Sequence, residues 1–210
     1  MELSVALRPR RLKASCRMIL EVVKYGHPML RQKGPRLETV TAEHRQLIAD
    51  MFETMYAAKG IGLAAQQVGR ALQITVLDLR GVKDRPSTLE VDGKVLDVEK
   101  FMPLVLINPE IQPLNDPVLG PEGCLSFPEL YGDVLRPEAI TVKAWNAKGE
   151  SFTFRCGGLL ARAVQHEADH LNGILFIDRM DRKSKDEIRA ELDALQTETK
   201  AALELAHKKK

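Results

Sequence analysis

The chain has 210 residues, of which 44% are hydrophobic and 29% charged, a composition that supports one folded domain and excludes wholesale disorder. Its formal net charge of +2 gives no basis for nucleic acid as the main partner. Three cysteines, Cys16, Cys124 and Cys156, cannot build a disulfide framework and suit a reducing compartment, and no apolar run reaches the length of a membrane helix.

Basic residues gather at the ends. Arg8, Arg10, Arg11, Lys13 and Arg17 stand in front and Lys208 to Lys210 behind, as in solvated tails. The front segment lacks a secretory h-region. Its arginines and single acid, Glu2, leave an organelle transit peptide open, but Met18 opens a well-patterned stretch. Residues 1–17 are therefore read as a dispensable basic extension, 18–200 as the catalytic domain and 201–210 as a charged tail.

From Thr41 to Ala58, Leu47, Ile48, Met51, Phe52 and Met55 recur at helical spacing, with Thr41 as N-cap and Gly60 as terminator. Gln73 to Leu79 predicts a buried strand. Residues 81–102 are polar, centre on Asp92-Gly93, and predict a surface hairpin between core strands. Leu104 to Ile107 reads as a strand stopped by Asn108-Pro109. Ile140 to Trp145 and Ser151 to Arg155 predict a hairpin. Leu159 to Leu171 predicts a helix between Gly157-Gly158 and Asn172-Gly173, followed by an apolar run from Ile174 to Ile177. Ser184 and Glu187 suggest a capping box for a last helix with Ile188, Leu192 and Leu195 on one face. Short strands with separated helices argue for an α+β fold rather than alternating βαβ units.

His166-Glu167-Ala168-Asp169-His170 is the strongest chemical signal. Residues at i and i+4 share a helical face, so both imidazoles can reach one cation. Glu167 is rotated by about 100° from His166, which disfavours it as a ligand and suits it to proton transfer with a water at the cation. A catalytic site of this kind takes a third protein ligand. His207, the only later histidine, sits in the charged tail; Cys124 lies in a Gly-containing loop bracketed by Pro121 and Pro128; Cys156 is its rival. Gly60 to Gly69 is dense in glycine and alanine, so that backbone at Gly62 can approach a substrate, and it lacks the spacing of nucleotide loops.

Together these segments resemble the three signature motifs of the peptide deformylases. Gly60 to Gln67 matches the first motif and places the family's catalytic glutamine on Gln67, with Gln66 at the variable position. Glu122-Gly123-Cys124-Leu125-Ser126 matches the second and makes Cys124 the sulfur ligand; residues 165–171 match the third and assign His166, Glu167 and His170. The likeness covers residues 18–200. It implies antiparallel or mixed sheets around a central helix that bears both histidines, with a C-terminal helix outside. It implies hydrolysis of the formyl group of newly made polypeptides, with Glu167 moving protons and Gln67 and the Leu125 N–H stabilising the oxyanion. It implies one divalent ion, Fe(II), with zinc, nickel or cobalt able to occupy the site. A monomer acting on nascent formyl-methionyl chains at the ribosome is expected, in the cytoplasm (or in an organelle, if residues 1–17 are a transit peptide), with no membrane and no direct nucleic-acid requirement. Two features depart from the pattern. Some bacterial members carry an arginine shortly after the second motif, where this chain has Glu129 to Gly132 and places Tyr131 by the substrate side-chain pocket. The 81–102 excursion is also longer than in compact members. A zinc peptidase, which would need a downstream ligand, and a four-ligand structural metal module are the alternatives.

Overall fold

A computed structural model describes residues 17–208; residues 1–16 of the front extension, Cys16 among them, lie outside the described residues. The chain enters along the first helix, α1 (Ala42–Ala57). There the Met18 N–H donates to Asp50 Oδ1 at 2.9 Å and the Leu20 N–H to Thr54 Oγ1 at 2.8 Å. Thr41 is the N-cap, as its sequence context predicts, and exchanges two hydrogen bonds with His44. The buried face carries Ile48, Met51 and Met55.

Strand β1 (Gly62–Ala64) follows, then a 3-10 turn over Ala65–Val68 and strand β2 (Ile74–Leu77), the core of the expected strand. The polar excursion forms β3 (Ser87–Val91), β4 (Lys94–Val95) and the short helix α2 (Val98–Phe101). Its turn residues, Asp92 and Gly93, have φ values of 50° and 73°, as a tight hairpin turn demands. The excursion is not wholly superficial: Leu89 is buried and pairs with Cys156 across the main sheet.

Strand β5 (Leu104–Pro113) corrects one expectation, because Asn108-Pro109 does not stop it. Asn108 sits at φ 54°, a conformation asparagine tolerates, and the register shifts between Ile107 and Glu110. Its side chain accepts from the Leu37 N–H and donates to the Leu37 carbonyl, both at 2.8 Å, so the bulge is pinned from outside the strand. A second correction concerns Cys124. It lies at the end of β6 (Pro117–Cys124), which pairs with β7 (Phe127–Pro137) as a separate two-stranded ribbon, not in a loop. A ribbon leaves an unpaired edge on each strand, which is where prolines such as Pro121 and Pro128 can be held.

The expected hairpin is β8 (Ala139–Trp145) and β9 (Ser151–Gly157), and the central helix is α3 (Gly158–Leu171). The apolar run after it makes a 3-10 turn at Phe176–Asp178. Helices α4 (Arg182–Glu187) and α5 (Arg189–Lys208) end the chain. Here the proposed capping box fails: Asp181, not Ser184, is the N-cap and accepts the Ser184 N–H at 3.0 Å. A carboxylate three residues upstream outcompetes the serine hydroxyl, which itself donates to Asp181. The apolar face holds: Leu192 is buried, and Ile188 and Leu195 pack beside it against Phe127, Val134 and Phe176.

The larger sheet has seven strands in the order β1-β2-β5-β8-β9-β3-β4, and every ladder is antiparallel. The architecture is α+β, as the pattern of elements implied. Helix α3 is buried at every residue from Leu159 to Leu171, with the large sheet on one side and β7 on another. Its burial is what carries two histidines and two acids into the interior.

Candidate metal centre

Helix α3 places His166 and His170 one turn apart, with ring centroids 5.0 Å from each other. The β6–β7 turn brings Cys124 Sγ to 3.3 Å from His170 Nε2. One ligand atom from each of the three residues lies within 4.8 Å of the others, and no other such group of His, Cys, Asp or Glu exists among the described residues. Cys156, the rival, lies on β9 in the apolar core, where burial pushes its thiol up to about 12.

His166 is oriented from behind. Its Nδ1 lies 2.9 Å from Glu122 Oε2, which leaves Nε2 for the site. Glu122 is fixed in turn by Arg136, whose Nε and Nη2 donate to its two oxygens at 2.6 and 2.9 Å, and by Arg162 at 3.0 Å. Burial opposes its ionisation, but the contacts with His166 and Arg136 outweigh it and hold the carboxyl down to about 2. Arg136 also donates to Asp169 at 2.7 Å, and Arg179 donates to the same carboxylate. These partners were missed in the sequence. The available signal was a charged residue inside each motif, Glu122 in the cysteine motif and Asp169 in the histidine motif.

Glu167 is buried beside the cluster, and its Oε2 has no hydrogen-bond partner among the described residues. Burial pushes its carboxyl up to about 7. The structure shows a distinct task for Gly62: a Cβ there would meet Glu167 Oε1 at 2.3 Å, so glycine makes room for the carboxylate. Gln67 is held just as firmly. Its Oε1 accepts the Ala64 N–H at 2.8 Å, which turns Nε2 toward Cys124 Sγ at 3.4 Å and Ser126 Oγ at 3.3 Å. Gln66 points away, to the Leu171 carbonyl.

Gly62, Gln67, Cys124, Leu125, Tyr131, His166 and Glu167 line one cleft of about 510 Å³, while His170 is sealed behind it. Tyr131 is largely exposed at the rim, its ring close over Gly123. The Leu125 carbonyl accepts from Lys24 Nζ at 2.9 Å. A thiol and two imidazoles converging with no fourth protein donor among the described residues fit a divalent transition ion with an open position, and Glu167, with its unpartnered oxygen, lines the same cleft.

A family model for polypeptide deformylase matches residues 19–186. The chain belongs to the polypeptide deformylase family. A peptide deformylase of Opitutus terrae is 47% identical over 190 residues, covering 90% of this chain and 98% of that protein. One from Methylacidiphilum infernorum is 44% identical over 85% of this chain and 93% of its own. Among solved structures, the peptide deformylase 1B of Arabidopsis thaliana superposes with a TM-score of 0.73 at 38% identity, covering 87% of this chain and 93% of that one. The fold implied by the deformylase motifs is thus the fold observed.

The close approach at Gly62 generates a prediction. Gly62→Ala is expected to destabilise the protein by about 1–3 kcal/mol, the usual range for forcing an extra methyl into a packed site. Denaturant unfolding measures the loss, and a crystal structure should show Glu167 displaced. Unchanged stability with Glu167 in place would contradict the packing argument.

Proposed function

We propose that this chain removes the formyl group from the N-terminal formyl-methionine of newly synthesised polypeptides and releases formate. The observation that carries the reading is the cluster of Cys124, His166 and His170 at a cleft that Glu167, with an unpartnered oxygen, and the pinned Gln67 amide also line. Cys124, His166 and His170 are the proposed ligands.

A divalent ion held by them supplies Lewis acidity and lowers the pKa of water. Glu167, buried and with a raised pKa, accepts a proton from the attacking water and delivers it to the departing amine. Gln67 Nε2, its carbonyl already satisfied by Ala64, donates to the developing oxyanion, together with the Leu125 backbone N–H. Gly62 and Tyr131, both part of the cleft lining, are the proposed substrate contacts.

The family resemblance supports Fe(II) as the ion, with zinc, nickel or cobalt as substitutes. The chain acts as a monomer on chains emerging from the ribosome, in the cytoplasm. No helix among the described residues is long and apolar enough to cross a membrane.

The deciding assay offers formyl-methionyl, acetyl-methionyl and internal peptide bonds together. Release of formate alone supports the reading, and cleavage of internal bonds would favour a peptidase. Glu167→Ala should keep its ion and lose roughly 10²–10⁴-fold in turnover, since it removes the proton carrier and no ligand. Metal analysis beside the assay checks both halves.

For the ligands, Cys124→Ser should strip the ion, because an alcohol at neutral pH binds it far less well than a thiolate. Cys156→Ser should leave metal content near normal, and the reverse pattern would overturn the assignment.

We also propose that the catalytic unit begins at Met18. A chain starting there would set its α-amino group beside the buried Asp50 carboxylate, 2.9 Å from the present Met18 nitrogen. The truncated protein should match the full chain in melting temperature and activity; an insoluble or inactive product would show that residues 1–17 are required.

A further inference from the structure

The cleft has an unbalanced set of charges. Deep inside it, Glu122 and Arg162 face each other at 3.0 Å, both nearly closed off from water. Three cations, Lys24, Lys59 and Arg85, also line it, against one acid other than Glu122 and Glu167, namely Glu129. None of these three cations belongs to an ion pair among the described residues.

Arg85 differs from the two lysines. It is half-buried, and the one hydrogen bond it makes among the described residues is a long one, 3.4 Å, from Nη2 to the Pro121 carbonyl. A guanidinium carries five donors in a planar fork suited to a carboxylate, so most of its capacity is unused. Its position is built rather than incidental. The next two residues are tied to the start of α3: the Leu159 N–H donates to the Pro86 carbonyl and the Leu160 N–H to Ser87 Oγ, each at 3.0 Å. Arg85 lines both the catalytic cleft and an adjoining cavity of about 280 Å³ bounded by Val82, Pro86, Ser87, the start of α2 and Leu159.

On the deformylase reading, the formylated end of a polypeptide is held at the Cys124, His166 and His170 cluster. The residues that follow the methionine must then leave along the cleft and pass its charged lining. We infer that Arg85 is a substrate-selecting residue that favours acidic side chains shortly after the methionine. Lys24 and Lys59 add to the same field, but Lys24 is already committed to the Leu125 carbonyl. The excursion therefore has a task of its own: it delivers a cation to the peptide path from a different part of the chain than the cysteine motif.

The test measures kcat/KM for formyl-methionyl peptides that differ only in Glu, Gln or Lys at the second or third position. It compares the natural protein with Arg85→Gln and Arg85→Glu. The ratio of Glu to Lys peptide is read within each protein, so partial loss of folded enzyme cancels. The natural protein should prefer Glu at one of the two positions by roughly three- to tenfold at low salt, as expected of a partly desolvated ion pair. The ratio should fall toward one in Arg85→Gln, invert in Arg85→Glu, reside in KM rather than kcat, and shrink as salt is added. Cleavage of all peptides with the same ratio in all three proteins would overturn the selection by Arg85 alone. Cleavage of none by the natural protein would overturn the deformylase reading and this inference with it.

Discussion

The site depends on a buried carboxylate held between cations. Glu122 accepts from Arg136 and Arg162 and lies against His166 Nδ1, while Arg136 continues to Asp169 on the same helix. Burying such charges is costly, and breaking one partner of a buried pair typically costs about 3–5 kcal/mol. The structure offsets that cost with short, well-directed bonds and with backbone. Arg162 alone donates to the carbonyls of Val118, Gly120 and Val134, and so clamps both strands of the β6–β7 ribbon onto α3. The ribbon shares no ladder with the main sheet, so this polar network and the apolar cluster under Phe127 are what fix Cys124 against the histidines.

A second constraint acts on direction rather than position. Gln67 could in principle present either end of its amide to the cleft. The Ala64 N–H takes the oxygen, and only the NH₂ remains to face the sulfur. His166 is treated in the same way by Glu122. In both cases a local bond made outside the cleft decides which atom points into it, so the polarity of the site is settled before any ligand arrives.

Much of this was legible from the residues. Histidines at i and i+4 must share a helical face, and Gly157-Gly158 and Asn172-Gly173 bounded the helix closely. Thr41 and the Asp92-Gly93 turn were equally readable because their chemistry is local. The failures have physical causes too. Asn108-Pro109 resembles a strand end, and only the distant backbone of Leu37 makes it a bulge within one. Pro121, Gly123 and Pro128 mimic a loop, and only pairing over residues 117–137 reveals a ribbon. The room that Gly62 leaves for Glu167 could not be read from the chain, because the two residues are more than a hundred positions apart. The partners of Glu122 were hidden for the same reason, since Arg136 and Arg162 come from elements that meet it only in three dimensions.

The separation of the ribbon from the large sheet has a thermodynamic consequence. Cys124 and His170 are 46 residues apart in the chain and belong to elements that share no backbone ladder. A cation gripped by the sulfur and the imidazoles would act as a cross-link that closes this loop. Closing long loops removes entropy from the unfolded chain, and a ligand that binds only the folded form adds its binding free energy to stability. The donors that define the chemistry would thus also fasten two otherwise separate pieces of the fold, making the ion a mechanical part as well as a reagent.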